Sequence, residues 1–315
     1  MEHLAEHHIP DAIALAHEAS VREQRHVPAL PRLDVRDVLE RAVGDIVRHG
    51  TGIAALDGSK LAGYMSFIGP IDNFFGTSPG CFSPLHGLAA TGPQRRRLFS
   101  LLFQHASGLL TAKGAKVFAI TTYAHDHDAA TALSLNGFGI RNADAIREIA
   151  TPLETVIVPD ITYREIPWSD AGRLLPLKNG LVEHLHRSPT YVAAEAFTPE
   201  SFALLCEERK SRFFIAQDGD TPIGYMEITD EGESYLTSDP GMLNICGAFL
   251  HEQYRGQGIY AQLLGVVIDT LRKEGVRHLG VDFETMNPTA LHFWTRYFDP
   301  YTYSLARRLD DLPES

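Results

Sequence analysis

The chain has 315 residues, 44% of them hydrophobic and 22% charged, the balance of a globular protein with a sizeable core rather than a disordered or collagen-like chain. No run approaches the ~20 apolar residues that span a bilayer. The start, Met1-Glu2-His3-Leu4-Ala5-Glu6, lacks a basic segment followed by an apolar one, and Cys81, Cys206 and Cys246 are too scattered for a disulfide framework or a zinc site, so a reduced, cytoplasmic protein without membrane contact is expected.

In chain order, helical patterns run to about residue 49. Residues 52–65 read as strand, Asp57-Gly58 turn and strand, since Asp-Gly tolerates the positive φ of a tight hairpin. A strand is expected over 81–88, a helix over 94–113, a strand over 116–121 and a helix over 129–135. Residues 151–160, with two prolines, read as a linker. The second half predicts a strand over 161–166, a helix over 168–187 and another starting at 199. An Asp218-Gly219 hairpin over 213–226 follows, then an apolar strand over 242–250, a helix over 259–273, a strand over 278–283, a helix over 288–297 and a last strand over 301–305.

The two series are alike, and residues support the likeness. Asp57-Gly58 and Gly63-Tyr64-Met65 recur as Asp218-Gly219 and Gly224-Tyr225-Met226, each at an offset of 161. Two similar domains are expected, 1–155 and 156–315. The charge is uneven between them: 14 basic and 16 acidic residues up to Thr155, 14 and 24 beyond it. The acidic second half argues against nucleic acid and would draw in cations, amines included.

The most informative stretch runs from Phe249-Leu250 through His251-Glu252-Gln253-Tyr254-Arg255-Gly256-Gln257-Gly258-Ile259-Tyr260-Ala261. A strand enters a loop with two glycines, and the loop opens a helix whose first N–H groups have no intrahelical partner and carry partial positive charge. That arrangement suits a pyrophosphate. Gly256-x-Gly258-x-x-Ala261 with Asp282 about 20 residues on also fits a dinucleotide-binding fingerprint. Against it, the polar run His251–Arg255 separates strand from glycine, and only 33 residues follow Asp282.

At these residues the chain resembles the GNAT superfamily of acetyl-CoA-dependent N-acetyltransferases. Arg255-Gly256-Gln257-Gly258-Ile259-Tyr260-Ala261-Gln262-Leu263-Leu264 is similar to the family's Arg/Gln-x-x-Gly-x-Gly/Ala motif and its leucine pair, with Tyr260 where Gly or Ala is usual. Asn287-Pro288-Thr289-Ala290-Leu291-His292-Phe293-Trp294 looks like the family's Asn-x-x-Ala segment. The resemblance implies an α/β (α+β) fold of two tandem domains, each a mixed, mostly antiparallel sheet flanked by helices. It further implies acetyl-CoA as co-substrate, with no metal, held by Phe249, Leu250, Arg255, Gly256, Gln257, Gly258, Ile259, Tyr260 and Asn287. The acceptor implied is an amine, on a small molecule or a peptide.

The first half resembles the same family with its loop eroded. Setting Leu101-Leu102 against Leu263-Leu264 places Pro93 at Arg255 and Arg96 at Gly258, Asp126 at Asn287 and Ala129 at Ala290. A proline removes an N–H donor, and the run Arg95-Arg96-Arg97 reads as a solvated helix face.

Amide formation needs a group to take the amine's proton and one to protonate the leaving thiolate. Relatives often use a tyrosine where this chain has Trp294, which cannot donate a proton to sulfur; Tyr297 is the nearest substitute, with Tyr301 and Tyr303 beyond. The positions matching a base on the preceding strand hold Asn244 and Cys246. Glu227, Asp282 and Glu284 are the carboxylate candidates, Glu284 preferred as a strand-end residue facing the cleft. The weak chemistry of these positions keeps a non-catalytic acyl-CoA-binding protein as the second reading. His125-Asp126-His127-Asp128 and His3, His7, His8 look like ligand clusters, but no metal site is expected, and Asp126 and Asp128 read as acids at a helix start.

Overall fold

Strands and helices alternate in two similar series in the computed structural model, which describes residues 1–31, 36–76, 78–232 and 234–309. The first series is β1 (Glu2–His3), α1 (Ile9–His26), α2 (Arg36–His49), β2 (Thr51–Asp57), β3 (Lys60–Ile71), β4 (Gly80–Ser83), β5 (Leu88–Ala90), α3 (Arg95–Thr111), β6 (Val117–Tyr123), α4 (His127–Leu135) and β7 (Gly139–Glu148). The second is β8 (Ile161–Ile166), α5 (Leu175–His186), α6 (Pro199–Arg209), β9 (Arg212–Asp218), β10 (Thr221–Thr229), β11 (Met242–Leu250), α7 (Ile259–Lys273), β12 (His278–Glu284), α8 (Pro288–Tyr297) and β13 (Asp299–Arg308).

Both Asp-Gly pairs close hairpins. Asp57 pairs with Lys60 and Asp218 with Thr221, and Gly58 and Gly219 take φ of +62° and +55°. The expected strand over 81–88 is instead two short strands, because Pro84 opens a single 3-10 turn, Leu85–Gly87, between them. The expected helix over 168–187 begins as a 3-10 segment, Trp168–Leu174, and becomes α-helical at Leu175 with Pro176 in the first turn, where its missing N–H leaves no bond unmade.

The chain divides into two compact units, but they are not its consecutive halves. One comprises residues 1–144, 234–236 and 299–315; the other comprises 145–233 and 237–298. The linear boundary expected at 155/156 therefore does not coincide with them. The strand following α8 returns to the first unit, where β13 pairs antiparallel with β6 from Thr302–Tyr123 to Arg308–Val117. The strand following α4 carries the chain into the second unit, which takes residues 145–148 of β7. The second series thus supplies its last strand to the first unit, and the first series supplies the end of its last strand to the second.

In the second unit β8, β9, β10 and β11 are antiparallel neighbours and only β11–β12 is parallel. One side of this sheet packs under α5 and α6 through Leu174, Leu177, Phe202, Phe213, Ile215, Tyr225 and Phe249. On α7, Leu263, Leu264, Val267, Ile268 and Leu271 are buried, a helical stripe that includes the motif's leucine pair. In the first unit Phe99, Leu102, Phe103 and Ala106 of α3 join Met65, Phe67, Phe118 and Leu305 in one core. No helix among the described residues is long and apolar enough to cross a membrane.

Two histidine clusters resolve into local contacts. His125 Nδ1 lies 2.7 Å from the buried Glu23 carboxylate, while Asp126 caps α4 by accepting from Ala129 N. Glu2, His7 and His8 place ligand atoms within 4.8 Å of one another. Yet His8 Nδ1 accepts the Ala5 N–H at 3.1 Å, so its lone pair is already engaged within the turn, and only Nε2, 3.0 Å from Glu2 Oε1, is left beside the carboxylate.

Candidate active site

Parallel pairing of β11 with β12 ends at Ile245 and Val281, although both strands continue. On the other edge of β11, Glu227 pairs with Gly247 and Ile228 with Ile245, leaving Cys246 as a bulge. Bulges re-aim strands beside functional sites. Beyond the bulge lies a cavity of about 440 Å³, walled by the end of β11, the loop after it, the start of α7, the length of α8 and one side of α5.

The loop is shaped by two left-handed residues. Gly256 has φ +78° and Gly258 has φ +83°, a conformation L-residues avoid. A Cβ on Gly256 would meet nothing within 4 Å; the conformation, not crowding, demands glycine there. Gly258 is the N-cap of α7 and offers no side-chain cap, so the helix presents bare N–H groups. Arg255 ties the loop to its strand, donating from Nε to Leu250 O at 3.1 Å with its guanidinium 5.7 Å from the Phe249 ring.

Tyr260, the departure from the family motif, turns its bulk inward. Its hydroxyl donates to Tyr225 O at 3.1 Å, and its ring lies 5.1 Å from Phe293 and 6.2 Å from Trp294. The backbone at 260 is left free for the cavity, and burial raises the phenol's pKa well above its ordinary value. Asn287 caps α8, accepting from Thr289 N at 3.2 Å and Ala290 N at 3.4 Å.

Of the residues expected to hold the cofactor, Phe249, Leu250, Arg255, Gly256, Gly258, Ile259, Tyr260 and Asn287 line this one cavity. Gln257 is not in its wall; its side chain bonds back to Gln253 O at 2.8 Å. Tyr297 lines the cavity, with its ring 5.0 Å from Phe293. Glu284 does not line it, and its carbonyl receives the Asn287 N–H. Tyr301 and Tyr303 lie on β13 in the first unit and are not in the cavity wall.

The other candidate bases are committed elsewhere. Glu227 is 1% exposed and accepts from Lys178 Nζ at 2.7 Å. Burial, then the Glu227 charge, pushes the Cys246 thiol up to about 12, so it is neither base nor nucleophile near neutral pH. Asn244 is buried within the paired part of β11, opposite Gly280 of β12.

His184, on α5, escaped the sequence reading. It lines the cavity, with Nε2 3.4 Å from Asn287 Oδ1. Burial lowers its pKa, and the Arg255 charge lowers it further. Nothing in its helical surroundings marked it, since its partner is 103 residues away. Arg255 and Arg296 are the charged side chains of the wall, and among the described lining residues there is no carboxylate. Two arginines beside a bare helix N-terminus, in a chain of net charge −12, are an arrangement that suits an anion.

The first unit repeats the frame and closes it. Arg95 Nε donates to Ala90 O at 3.0 Å, which makes Arg95, not Pro93, the counterpart of Arg255. Its guanidinium then pairs with Asp126 and reaches Asp128 at 3.5 Å.

A model of the acetyltransferase (GNAT) family matches residues 179–299. Among solved structures, a GCN5-related N-acetyltransferase from Sphaerobacter thermophilus is similar over 98% of this chain and 95% of its own, at 15% identity and a TM-score of 0.61. A tandem GNAT protein from the clavulanic acid biosynthesis pathway is similar over 99% of both chains, at 16% identity and a TM-score of 0.54. No similar sequence was found among curated proteins. Residues 179–299 therefore belong to the acetyltransferase (GNAT) family, and the chain as a whole has the α/β fold of tandem GNAT proteins.

Proposed function

We propose that the second unit transfers the acetyl group of acetyl-CoA to a primary amine, and that the first unit is a degenerate copy without a cofactor site. One observation carries the reading: the GNAT-family segment contains a cavity with a bare helix N-terminus, two arginines, two histidines and no carboxylate among its described lining residues. Acetyl-CoA would supply the thioester. Backbone N–H groups at 256–261 and Arg255 would hold its pyrophosphate, and Phe249, Leu250 and Ile259 would cover apolar parts of the arm. Tyr297, whose ring stands at the same cavity, would protonate the departing thiolate in place of Trp294, which is 4% exposed and packed between Phe293 and Phe298. The reaction belongs in the cytoplasm, where acetyl-CoA and reduced thiols coexist.

The test mixes the protein with acetyl-CoA and a panel of small amines, peptides and lysine derivatives while free thiol is followed. Amine-dependent thiol release is expected. Binding of CoA with no turnover on any amine would support the sensing role instead, and a response to NAD but not to CoA would reject both.

A further inference from the structure

Resting on the acyl-transfer reading above, we infer that Gln262 is a positioning residue of the coenzyme site: it clamps the segment 153–158 against Gly258 and so fixes the loop that would hold the pyrophosphate. Gln262 is not in the cavity wall, so it acts through what it holds.

The segment expected as a linker has neither helix nor strand over 152–158, yet it runs along α7 within the second unit. A Cβ built on Gly265 would meet Thr155 Cγ2 at 3.2 Å and Leu153 O at 3.7 Å, and one built on Gly258 would meet Val158 Cγ2 at 3.7 Å. Between these two contacts Gln262 Oε1 accepts the Val158 N–H at 2.9 Å. Positions 258, 262 and 265 are spaced by four and three, so they share one face of the helix. Glycine weakens a helix interior. Gly265 is explained by the chain lying over it, since even a methyl group there would crowd Thr155.

Two bonds meet at Gln262. Its backbone N–H donates to Gly258 O at 3.0 Å, closing the first turn of α7, and its side chain takes the Val158 N–H. Gly258, which also lines the cavity, is thus held from within the helix and packed from outside it. Holding matters for a glycine at φ +83°, because glycine has more backbone states open to it than any other residue. Fixed in this way, the loop offers its N–H groups in one arrangement. Released, it must be ordered by the ligand, and affinity falls by the cost of that ordering.

The test uses the full chain with Gln262→Met, which keeps the length of the side chain but not its strong acceptor, and with Val158→Pro, which removes the N–H from the other end of the same bond. CoA affinity is read by calorimetry, turnover at saturating acetyl-CoA by thiol release, and order in the loop by hydrogen exchange over 256–261. Each variant should melt within about 4 °C of wild type, the scale of one lost hydrogen bond. Each should bind CoA about tenfold more weakly with kcat within about twofold of wild type. Exchange over the loop should quicken without CoA and match wild type when CoA saturates the site. The double variant should bind no more weakly than the poorer single one, since both changes remove one bond. A bond that served only the fold would shift melting and leave affinity and exchange as in wild type, and that outcome overturns the inference alone. Additive losses in the double variant, or a fall in kcat as large as the fall in affinity, overturn it as well. Failure of the wild-type protein to bind CoA overturns it together with the acyl-transfer reading.

Discussion

Arg95 and Arg255 make the same hydrogen bond: each Nε donates to the carbonyl oxygen five residues before it, Ala90 at 3.0 Å and Leu250 at 3.1 Å. Beyond that bond the two guanidinium groups differ. Arg255 has one carboxylate near it, Glu252 at 4.0 Å, and remains on the cavity wall. Arg95 is drawn onto Asp126 and Asp128, so two carboxylates stand where an anion would have to come. Calorimetry of the intact chain should give one CoA per chain; a second equivalent site would show that the first unit's ion pairs do not exclude the ligand.

The loop's conformation makes a sharp prediction at Gly258. Arginine there forces a side chain onto φ +83° at the helix N-terminus. CoA affinity should fall at least tenfold, about 1.4 kcal/mol. A folded Gly258→Arg protein with wild-type CoA affinity would contradict the phosphate role of this loop.

Tyr297 is reached by an unbroken α8 and stands one turn beyond Phe293, its ring partner. Tyr297→Phe retains the ring and removes the proton. The expected outcome is a fall in kcat of ten- to 100-fold with CoA affinity nearly unchanged, read from thiol-release kinetics beside calorimetry. Equal losses in binding and rate would instead make the hydroxyl a cofactor contact.

Lys178 and Glu227 form a buried pair, with side chains 9% and 2% exposed. Removing one partner leaves a charge stranded, a cost of about 3 to 5 kcal/mol. Lys178→Met should therefore lower the denaturation midpoint strongly. Adding Glu227→Leu should restore much of it, because the double variant has no charge to desolvate. Additive losses in the double variant would mean that the pair is not the source of the effect.

Strand exchange predicts that cutting the chain at 155/156 yields no independent domain. The fragment 1–155 lacks β13, the partner of β6, and the fragment 156–315 lacks residues 145–148. Each fragment expressed alone should aggregate or expose apolar surface to a dye, whereas co-expression should recover a soluble pair with one CoA site. A soluble, CoA-binding 156–315 fragment would show the exchanged strand to be dispensable.

What the amino-acid order determined by itself is local. Asp57-Gly58 and Asp218-Gly219 bend the chain wherever they occur, because the turn's positive φ is a property of those residues. Asp126 and Asn287 cap helices through bonds that reach only two or three residues ahead, and the stripe that buries Leu263 and Leu264 follows from 3.6-residue spacing. The loop at 255–258 was legible for the same reason: two glycines before an uncapped helix carry their meaning with them. Tertiary structure decided what depends on distant encounters. It sent β13 to β6 rather than leaving it beside α8, because edge pairing is governed by which strand edge lies open and not by sequence proximity. It closed Arg95 onto Asp126, 31 residues on, where a run of arginines had read as solvated surface. It brought His184 to Asn287 across 103 residues, giving an ordinary helical histidine a hydrogen-bond partner, a charged neighbour and a lowered pKa that no local pattern contains.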